Sequence, residues 1–407
     1  MAEDPFAGRA AFFAGHYRGT RGRLRLELVL ERILEALPPP PARVLDAGGG
    51  TGAFAIPLAE RGYDLTILDR SEEWLSEAGR EAERSGARMH AVHGGVEDAP
   101  RLTPGPFDAV LCHTVLIYAE RPLEVLQALR TVAAPGAVLS SLEKNRHALA
   151  FRPAREGDYA EALRVMDDPW ASGRLGIRNR ALTSGELRGA MVAAGWLPTG
   201  WAGIRVFSDG APEAVEGATF ETLRELDRKA AVREPHRRFG RLLHVLAQAW
   251  EPEPMAVLQE RSFERASRGT LGSWPPERSL AADRLDQFLE RKRYAALSTT
   301  RPDGRPHTTM IAYCLRDGRV WLPAVASAQR VRNLMAEPSA SMLFTEGEGE
   351  QHVVVLMEGQ AAVHADPAPI LDGWLRRAWL ERHGTELDWA GAIIELIPTK
   401  VLSYAAQ

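Results

Sequence analysis

The sequence is poor in cysteine, in lysine and in long apolar runs. It contains two cysteines, Cys112 and Cys314, and only 4 lysines beside 46 arginines. Two distant cysteines exclude a disulfide scaffold and a cysteine-ligated zinc site, and they are typical of a reducing compartment. No apolar stretch reaches the roughly 18–20 residues that span a bilayer, and no signal-peptide pattern opens the chain. We therefore expect a cytoplasmic protein with no membrane partner.

The sequence also lacks a strong excess of charge of either sign. Its formal net charge is −4 and 26% of its residues are charged, so on balance it does not belong to the strongly basic nucleic-acid binders, although local basic patches stay open. The 45% hydrophobic content and the length of 407 residues predict two domains, each with its own core.

The first domain is predicted to span residues 1–250. Near-continuous apolar strands alternate there with helical segments, a pattern typical of a parallel sheet covered on both faces. This predicts a doubly wound, Rossmann-like α/β fold. The predicted strands cover residues 43–47, 64–69, 89–93, 107–113 and 137–142, with further runs at 203–207 and 242–248.

A change of composition separates this region from the rest. Residues 251–283 are rich in proline, glutamate, arginine and serine, and are predicted to form a linker with one short helix. Residues 284–407 then alternate in the manner of strands, and Asp303-Gly304 and Asp317-Gly318 supply hairpin turns. The pattern predicts a mainly-β barrel.

A glycine-rich turn carries the strongest local signal. Asp46 is followed by Gly48, Gly49 and Gly50, after a predicted strand and before a helix. Glycines here let the backbone approach a ligand at a helix N-terminus. A loose G-x-G-x-x-A match keeps a nicotinamide dinucleotide open. A carboxylate at Asp46 repels a pyrophosphate but suits the ammonium and sulfonium of S-adenosylmethionine, which we therefore expect as cofactor.

Further acids follow the next two predicted strands. Asp69 is placed to accept hydrogen bonds from ribose hydroxyls, and Glu97 and Asp98 are placed to receive an adenine amino group. The ordered series, from Asp46 and its glycines to Asp98, resembles class I S-adenosylmethionine-dependent methyltransferases.

Separated motifs in residues 10–250 resemble the bacterial tRNA 5-carboxymethoxyuridine methyltransferases. The resemblance implies esterification of the carboxylate of a modified wobble uridine. It rests on YRGTRGRLR at 17–25, AERG at 59–62, HTVL at 113–116, AGW at 194–196, GIRVF at 203–207 and GRLLHV at 240–245. The cofactor contacts that it implies are Arg25, Gly48, Gly49, Asp69, Val96, Glu97 and His113.

The sequence indicates no catalytic base and no metal site. A carboxylate acceptor is already ionised near neutral pH, so the enzyme needs mainly alignment and a cationic grip on the acid. Arg18, Arg21, Arg23 and Arg205 are candidates for that grip or for phosphate contacts. The alternative acceptor is a small-molecule carboxylate or hydroxyl.

The C-terminal region resembles the pyridoxamine 5′-phosphate oxidase-like split barrels. The matching segments are YAALSTTRPDGRPH at 294–307 and RVRNL at 330–334. The resemblance implies FMN or a deazaflavin bound near Thr299, Ser327 and Arg330, and a homodimer formed through the barrel. Two roles stay open: a flavin-dependent oxidoreductase fused to the methyltransferase, or a barrel that only binds and dimerises.

Overall fold

The computed structural model describes residues 8, 17, 19–172 and 177–406. The chain divides into two compact units, one comprising Met1–Leu187 with Ala194–Trp250, the other Arg188–Ala193 with Glu251–Gln407. Arg18 lies outside the described residues. No helix among those described is long and apolar enough to cross a membrane.

Seven of the described strands before residue 250 form a mixed sheet in the order β3-β2-β1-β4-β5-β9-β8. The strands from β3 to β5 in that order are parallel, and β9 lies antiparallel between β5 and β8. The strands are β1 Arg43–Ala47, β2 Asp64–Asp69, β3 Met89–His93, β4 Phe107–His113, β5 Ala133–Lys144, β6 Trp170–Ser172, β7 Arg178–Arg180, β8 Trp196–Ile204 and β9 Leu242–Ala249.

The helices of this part of the chain join successive strands. Apolar side chains of the first helix and of the sheet form one buried cluster, which includes Val29, Ile33, Val44 and Ile67. The helices are α1 Thr20–Ala36, α2 Ala55–Ala59, α3 Glu72–Ser85, α4 Ala99–Leu102, α5 Pro122–Thr131, α6 Phe151–Arg155, α7 Tyr159–Asp167, α8 Ser184–Ala193 and α9 Gly217–Ala231.

The doubly wound α/β prediction is confirmed, and the first four predicted strands coincide with β1 to β4. The run predicted at 203–207 overlaps β8 only at residues 203–204, because the strand begins earlier, at Trp196. β8 ends at Ile204 because Arg205 has a φ of 62°, a left-handed conformation that interrupts a strand.

The second unit is built around an antiparallel sheet in the order β11-β10-β14-β15-β16-β13-β12. It curls as a split barrel, which confirms the mainly-β prediction. Asp317 and Gly318 have φ values of 53° and 71°, the signs that a tight hairpin turn between β12 and β13 requires. The strands are β10 Tyr294–Thr300, β11 Pro306–Ala312, β12 Cys314–Arg316, β13 Arg319–Ala324, β14 Ser339–Glu346, β15 Val353–His364 and β16 Ala392–Ala405.

Residues 251–283, predicted as a linker with one short helix, form a packed part of the second unit. Met255 and Leu258 enter its core cluster, and the hydroxyl of Ser262 accepts a hydrogen bond from the Val401 amide at 3.0 Å. Their helical spacing gives one apolar face that the surrounding charged and proline residues conceal in the sequence. The helices are α10 Met255–Glu264, α11 Arg268–Ser273, α12 Ala282–Arg291, α13 Gln329–Ala336, α14 Ala368–Ile370 and α15 Arg376–His383.

Candidate active site

The glycine-rich turn joins β1 to α2 at the carboxyl edge of the first sheet. Gly48 has a φ of 74°, and a Cβ there would lie 2.4 Å from a methyl of Val115. Gly50 has a φ of 58°, and a Cβ there would lie 2.9 Å from the ring of Trp74. Both positions therefore require glycine for conformation and for space, and the turn brings its backbone close to the neighbouring pocket.

Asp69 ends β2 and holds this turn in place. Its carboxylate accepts hydrogen bonds from the Gly50 amide at 2.9 Å and from the Ser71 amide at 3.0 Å. A carboxylate has about four lone-pair sites, so Asp69 can brace the loop and still accept from ribose hydroxyls. The side chain is buried and lines the pocket.

Asp46 lies beneath the loop and, among the described residues, is not one of those that line the pocket. A Cβ on Gly49 would lie 2.8 Å from its carboxyl carbon. Burial and, to a lesser extent, the charge of Asp69 raise the pKa of Asp46 to about 7. An acid so close to neutrality responds to any positive charge brought to the loop.

One pocket collects half of the predicted cofactor contacts. Gly48, Asp69, Val96, Glu97 and His113 all line it. Arg25, Asp46, Gly49, Gly50 and Asp98 were also predicted contacts, but they lie outside this lining in the described structure. Asp98 instead pairs with Arg101 at 3.5 Å. The lining also includes Arg70, Trp74, Gly94, Thr114, Val115, Tyr118 and Ala119.

Thr114 is a pocket residue that the sequence reasoning missed. It follows His113 at the end of β4 and has a φ of 58°, which is strained for a β-branched residue. Strain of this kind concentrates at functional sites. Its sequence signal is its place in the HTVL segment directly after a strand.

His113 and Glu143 lie at the ends of two adjacent strands, β4 and β5. Burial and the nearby Arg25 lower the pKa of His113 to about 3, so its ring is neutral. Burial raises the pKa of Glu143 to about 8, although its Oε1 accepts a hydrogen bond from the Leu116 amide at 3.2 Å. Glu143 was not predicted, because it is one acid within an apolar strand.

The predicted arginines fall into two groups. Burial and the charges of Arg25, Arg241 and Arg21 lower the pKa of Arg205 to about 10, although Asp209 pairs with it. Because Arg25 also acts on His113 and Glu143, the cluster of Arg21, Arg25, Arg205 and Arg241 extends to the pocket that His113 lines.

Arg21 and Arg23 have internal partners, as Arg205 has in Asp209. Arg21 pairs with Glu213. Arg23 pairs with Glu27 at 2.8 Å, and its guanidinium lies 3.8 Å from the centroid of the Phe220 ring. What distinguishes Arg205 from Arg23 is a buried Nε that has no hydrogen-bond partner among the described residues, so the structure favours Arg205 as a contact for an anionic substrate.

Buried polar atoms without a partner gather around the pocket. Within the described part of the chain, Arg25 Nε, His113 Nδ1, Glu143 Oε2 and Arg205 Nε form no hydrogen bond. Such atoms are rare in folded proteins because burying them unpaired is unfavourable. A ligand that carries both carboxylate and ammonium groups, as S-adenosylmethionine does, fits this mixture of donors and an acid.

A second pocket, of about 290 Å³, adjoins Arg205 through Asp209. Arg155 Nη2 donates to Asp209 at 3.0 Å, and Arg241 also lines the pocket. The rings of Phe151 and Phe239 meet there edge to face, with centroids 5.7 Å apart. Arginines beside half-exposed aromatic rings are suited to an unstacked nucleobase and its phosphate.

The predicted flavin residues of the second unit are largely engaged. The hydroxyl of Thr299 accepts a hydrogen bond from Asn333 Nδ2 at 2.9 Å, which ties β10 to α13. Ser327 is exposed, and its carbonyl accepts from Arg332. Arg330, near the start of α13, has a buried Nε without a hydrogen-bond partner in the described chain.

Two family models match the chain. The model described as "Methyltransferase domain" matches residues 44–136. The model described as "Pyridoxamine 5'-phosphate oxidase" matches residues 281–403. The two matches fall in the first and the second unit, respectively.

Curated relatives match the first unit over different lengths. The chain is 34% identical over 245 residues to the tRNA 5-carboxymethoxyuridine methyltransferase of Escherichia coli K12. This match covers 57% of this chain and 90% of the E. coli protein. It is 34% identical over 134 residues to a ubiquinone biosynthesis O-methyltransferase of Xanthomonas campestris, covering 33% and 54%. The shorter match corresponds to about half of that second relative.

Among solved structures, magnesium protoporphyrin IX methyltransferase from Synechocystis PCC 6803 with bound SAH has a TM-score of 0.39 and 16% identity. The match covers 56% of this chain and 85% of that chain.

Proposed function

We propose that this chain, which belongs to the tRNA 5-carboxymethoxyuridine methyltransferase family and is an S-adenosylmethionine-dependent methyltransferase, esterifies the carboxylate of a wobble 5-carboxymethoxyuridine in tRNA. The observation that carries the proposal is the buried arginine cluster beside the cofactor pocket. Arg205 and Arg25 each keep a buried Nε without a partner in the described chain, as an anionic acceptor requires. The nicotinamide alternative is set aside with this family assignment.

In this proposal the cofactor is held by the loop of Gly48 to Gly50, by Asp69 at the ribose and by the Val96–Glu97 turn at the adenine. S-adenosylmethionine supplies an electrophilic methyl group. The acceptor carboxylate oxygen bonds to the methyl carbon as the carbon–sulfur bond breaks, and no proton moves, so no general base is needed. Alignment by the arginines is then the main contribution of the chain.

The second pocket supports a nucleoside acceptor over a small free acid. Phe151 and Phe239 offer ring faces for the base, while Arg155 and Arg241 offer charge for the adjoining phosphate. The match to the E. coli relative over 90% of its length supports the same acceptor. We place the reaction in the cytoplasm, where tRNA is found.

Mass spectrometry of tRNA nucleosides tests this proposal. Pure protein, S-adenosylmethionine and tRNA containing 5-carboxymethoxyuridine should give a gain of one methyl group on that nucleoside. Arg205→Gln should lower kcat/KM for tRNA by about tenfold or more without changing the affinity for S-adenosylhomocysteine. The control Arg228→Gln, at an exposed arginine of α9 paired with Glu225 at 2.6 Å, should match the wild type.

No methyl gain on that nucleoside, with S-adenosylhomocysteine binding intact, would overturn the tRNA assignment. Methylation of free small carboxylates or hydroxyls in the same assay would then identify the alternative acceptor class.

We also propose that residues 284–407 act as a flavin-binding barrel, joined by 251–283 to a methyltransferase domain of residues 1–250. The unpartnered Nε of Arg330 supports a phosphate contact for FMN or a deazaflavin, with Thr299 and Ser327 nearby in the same role. Loading with FMN should quench flavin fluorescence, and Arg330→Gln should weaken binding. Arg376→Gln, at an exposed arginine of the same unit paired with Asp372 at 3.1 Å, is the control. A colourless protein that resists both flavins would favour a barrel that only dimerises.

The proposed homodimer uses the outer face of β10, β11 and β14. Met310 and Leu343 both lie opposite Ala296 on neighbouring strands, and Tyr294 is exposed near them. An exposed apolar patch of this kind marks an interaction surface. Met310→Glu should convert a dimer to a monomer in light scattering, whereas Val232→Glu, at an exposed valine of the first unit, should not. A wild-type monomer would refute the dimer.

A further inference from the structure

Four polar side chains form a continuous hydrogen-bonded chain behind the cofactor pocket. Arg32 Nε lies 3.1 Å from His244 Nδ1, and His244 Nε2 lies 2.9 Å from Ser140 Oγ. Ser140 Oγ in turn lies 2.9 Å from His113 Nε2. The serine and both histidines are buried. None of the proposed roles so far accounts for Arg32, Ser140 or His244.

The sheet brings these groups to one face. In the register of β5 with β9, Leu142 lies opposite His244, and in the register of β4 with β5, His113 pairs with Leu142. Ser140 lies two residues before Leu142, so it shares that face. Ser141 points to the opposite face and has no hydrogen-bond partner within the described chain.

Arg32 sets the direction of the hydrogen bonds in the series Arg32–His244–Ser140–His113. An arginine can only donate, so Nδ1 of His244 must accept and its single ring proton must reside on Nε2. That Nε2–H donates to Ser140 Oγ. Among the described residues the hydroxyl has one other partner, Nε2 of His113, so satisfying its proton requires that it donates to that nitrogen. His113 must therefore carry its own proton on Nδ1. Both histidines have a pKa below the usual value because they are buried, which keeps each ring to one proton.

We infer that Arg32, His244 and Ser140 are positioning residues that hold His113 as the Nδ1–H tautomer, so that it donates a hydrogen bond to a carboxylate bound in the methyltransferase site. The Nδ1 atom is buried and has no partner in the described structure, and His113 lines the cofactor pocket. A fixed N–H donor suits an oxygen and does not suit the sulfonium or ammonium of the cofactor. The tautomer stands independently, whereas the carboxylate rests on the proposed function.

Two carboxylates qualify: that of the cofactor's amino-acid portion and that of the methyl acceptor. Both offer the same chemistry to an N–H donor. His113 acts in neither case as a base, because its Nε2 lone pair is occupied by Ser140 and its Nδ1 carries a proton. The relay formed by Arg32, His244 and Ser140 thus fixes His113 as a hydrogen-bond donor, whereas a histidine without these partners could adopt either tautomer.

Nitrogen-15 NMR of the histidine-labelled full chain, without cofactor or substrate, tests the tautomer directly. Protonated and unprotonated ring nitrogens have well-separated shifts, and the His113 signals are assigned by their loss in His113→Asn. The wild type should show a protonated Nδ1. Ser140→Ala should move the proton to Nε2 or mix the two tautomers, Ser140→Thr should restore the wild-type pattern, and Ser141→Ala should leave it unchanged. A protonated Nε2 in the wild type, or no change in Ser140→Ala, would overturn the relay.

Binding measurements identify the carboxylate. Loss of one hydrogen bond should raise a dissociation constant or KM by about five- to tenfold. If the cofactor carboxylate is the partner, Ser140→Ala should weaken S-adenosylmethionine by that factor but leave its decarboxylated analogue unaffected. If the acceptor carboxylate is the partner, only the KM for the acceptor should rise. Equal values for Ser140→Ala and wild type in all three measurements would refute the carboxylate role, even where the NMR pattern is as expected.

Discussion

Glu143 in the first unit and Glu395 in the second are both buried in strands, but only Glu395 has a hydrogen-bond partner for each of its carboxylate oxygens among the described residues. Glu395 offers one oxygen to Arg319 and the other to His364 Nε2 at 2.7 Å. Glu143 uses Oε1 for a backbone amide, while Oε2 has no hydrogen-bond partner among the described residues. The contrast indicates that Glu395 stabilises the fold and that Glu143 lies in a site arranged around a ligand.

Other buried polar groups in the two units also differ in how many of them lack a hydrogen-bond partner. Around Glu143 lie other unpartnered groups, including His113 Nδ1 and Arg205 Nε. In the second unit the predicted flavin residue Thr299 is bonded to Asn333, whereas Arg330 keeps a buried Nε without a partner among the described residues. Buried polar atoms left unpaired are unfavourable in the free protein, so their concentration in the first unit points to the stronger ligand site.

The largest effect is expected from Glu395→Gln. Glu395 is buried while its partners Arg319 and His364 are partly exposed, so the free energy of unfolding should fall by about 3 kcal/mol, the lower end of the range for breaking a buried ion pair. The control is Glu358→Gln on the neighbouring β15, where a half-exposed glutamate pairs with Lys400 at 3.3 Å, and a loss within about 1 kcal/mol is expected. Chemical denaturation measures both. Equal losses of unfolding free energy in Glu395→Gln and Glu358→Gln would show that Glu395 does not have the stabilising role that the comparison assigns to it.

Glu143→Gln should act in the opposite direction. Burial raises the pKa of Glu143 in the folded protein from its ordinary value of 4.5 to about 8. Its contribution to stability is therefore fully present below about pH 4.5 and is lost as the pH rises through about 8. Relative to the wild type, ligand-free Glu143→Gln should gain about 3 kcal/mol between pH 5 and pH 8.

Thermal melts at the two pH values measure this gain, and Glu35→Gln, at an exposed glutamate of α1, is the control. A constant difference between Glu143→Gln and wild type across this range would mean that Glu143 is already ionised in the folded protein.

Asp69→Ala should abolish most cofactor affinity while the second unit keeps its fold. Hydrogen bonds to a charged carboxylate are worth about 1.5–3 kcal/mol each, so loss of two ribose contacts predicts a rise in the dissociation constant of about 100-fold or more. Asp64→Ala changes an exposed aspartate at the other end of β2 and should bind normally. Calorimetry with S-adenosylhomocysteine measures both variants. Unchanged affinity in Asp69→Ala would show that the ribose assignment is wrong.

The residues predicted from the sequence are those with a local signal. The glycine turn and Asp69 occupy fixed places after successive parallel strands, so their positions at the carboxyl edge of the sheet could be predicted from the sequence. Glu143, Ser140 and His244 have no such signal, because β9 returns from a distant part of the chain to pair with β5. A short helix was predicted within residues 251–283, but the charged and proline-rich surroundings of Met255–Glu264 concealed that it packs into the core of the second unit.

The smallest expected effect concerns Asp46 and tests whether its carboxylate, beneath the loop of Gly48 to Gly50, favours the positive charge of the cofactor. Its pKa of about 7 leaves it partly protonated, and a cationic ligand favours the ionised form. Affinity for S-adenosylmethionine should therefore rise about threefold from pH 6 to pH 8, more than for S-adenosylhomocysteine, which lacks the sulfonium charge. Asp46→Asn should flatten this difference between the two ligands, whereas Glu143→Gln should preserve it. Equal pH dependence of the two ligands in the wild type would place the charge-sensing group elsewhere than beneath the loop.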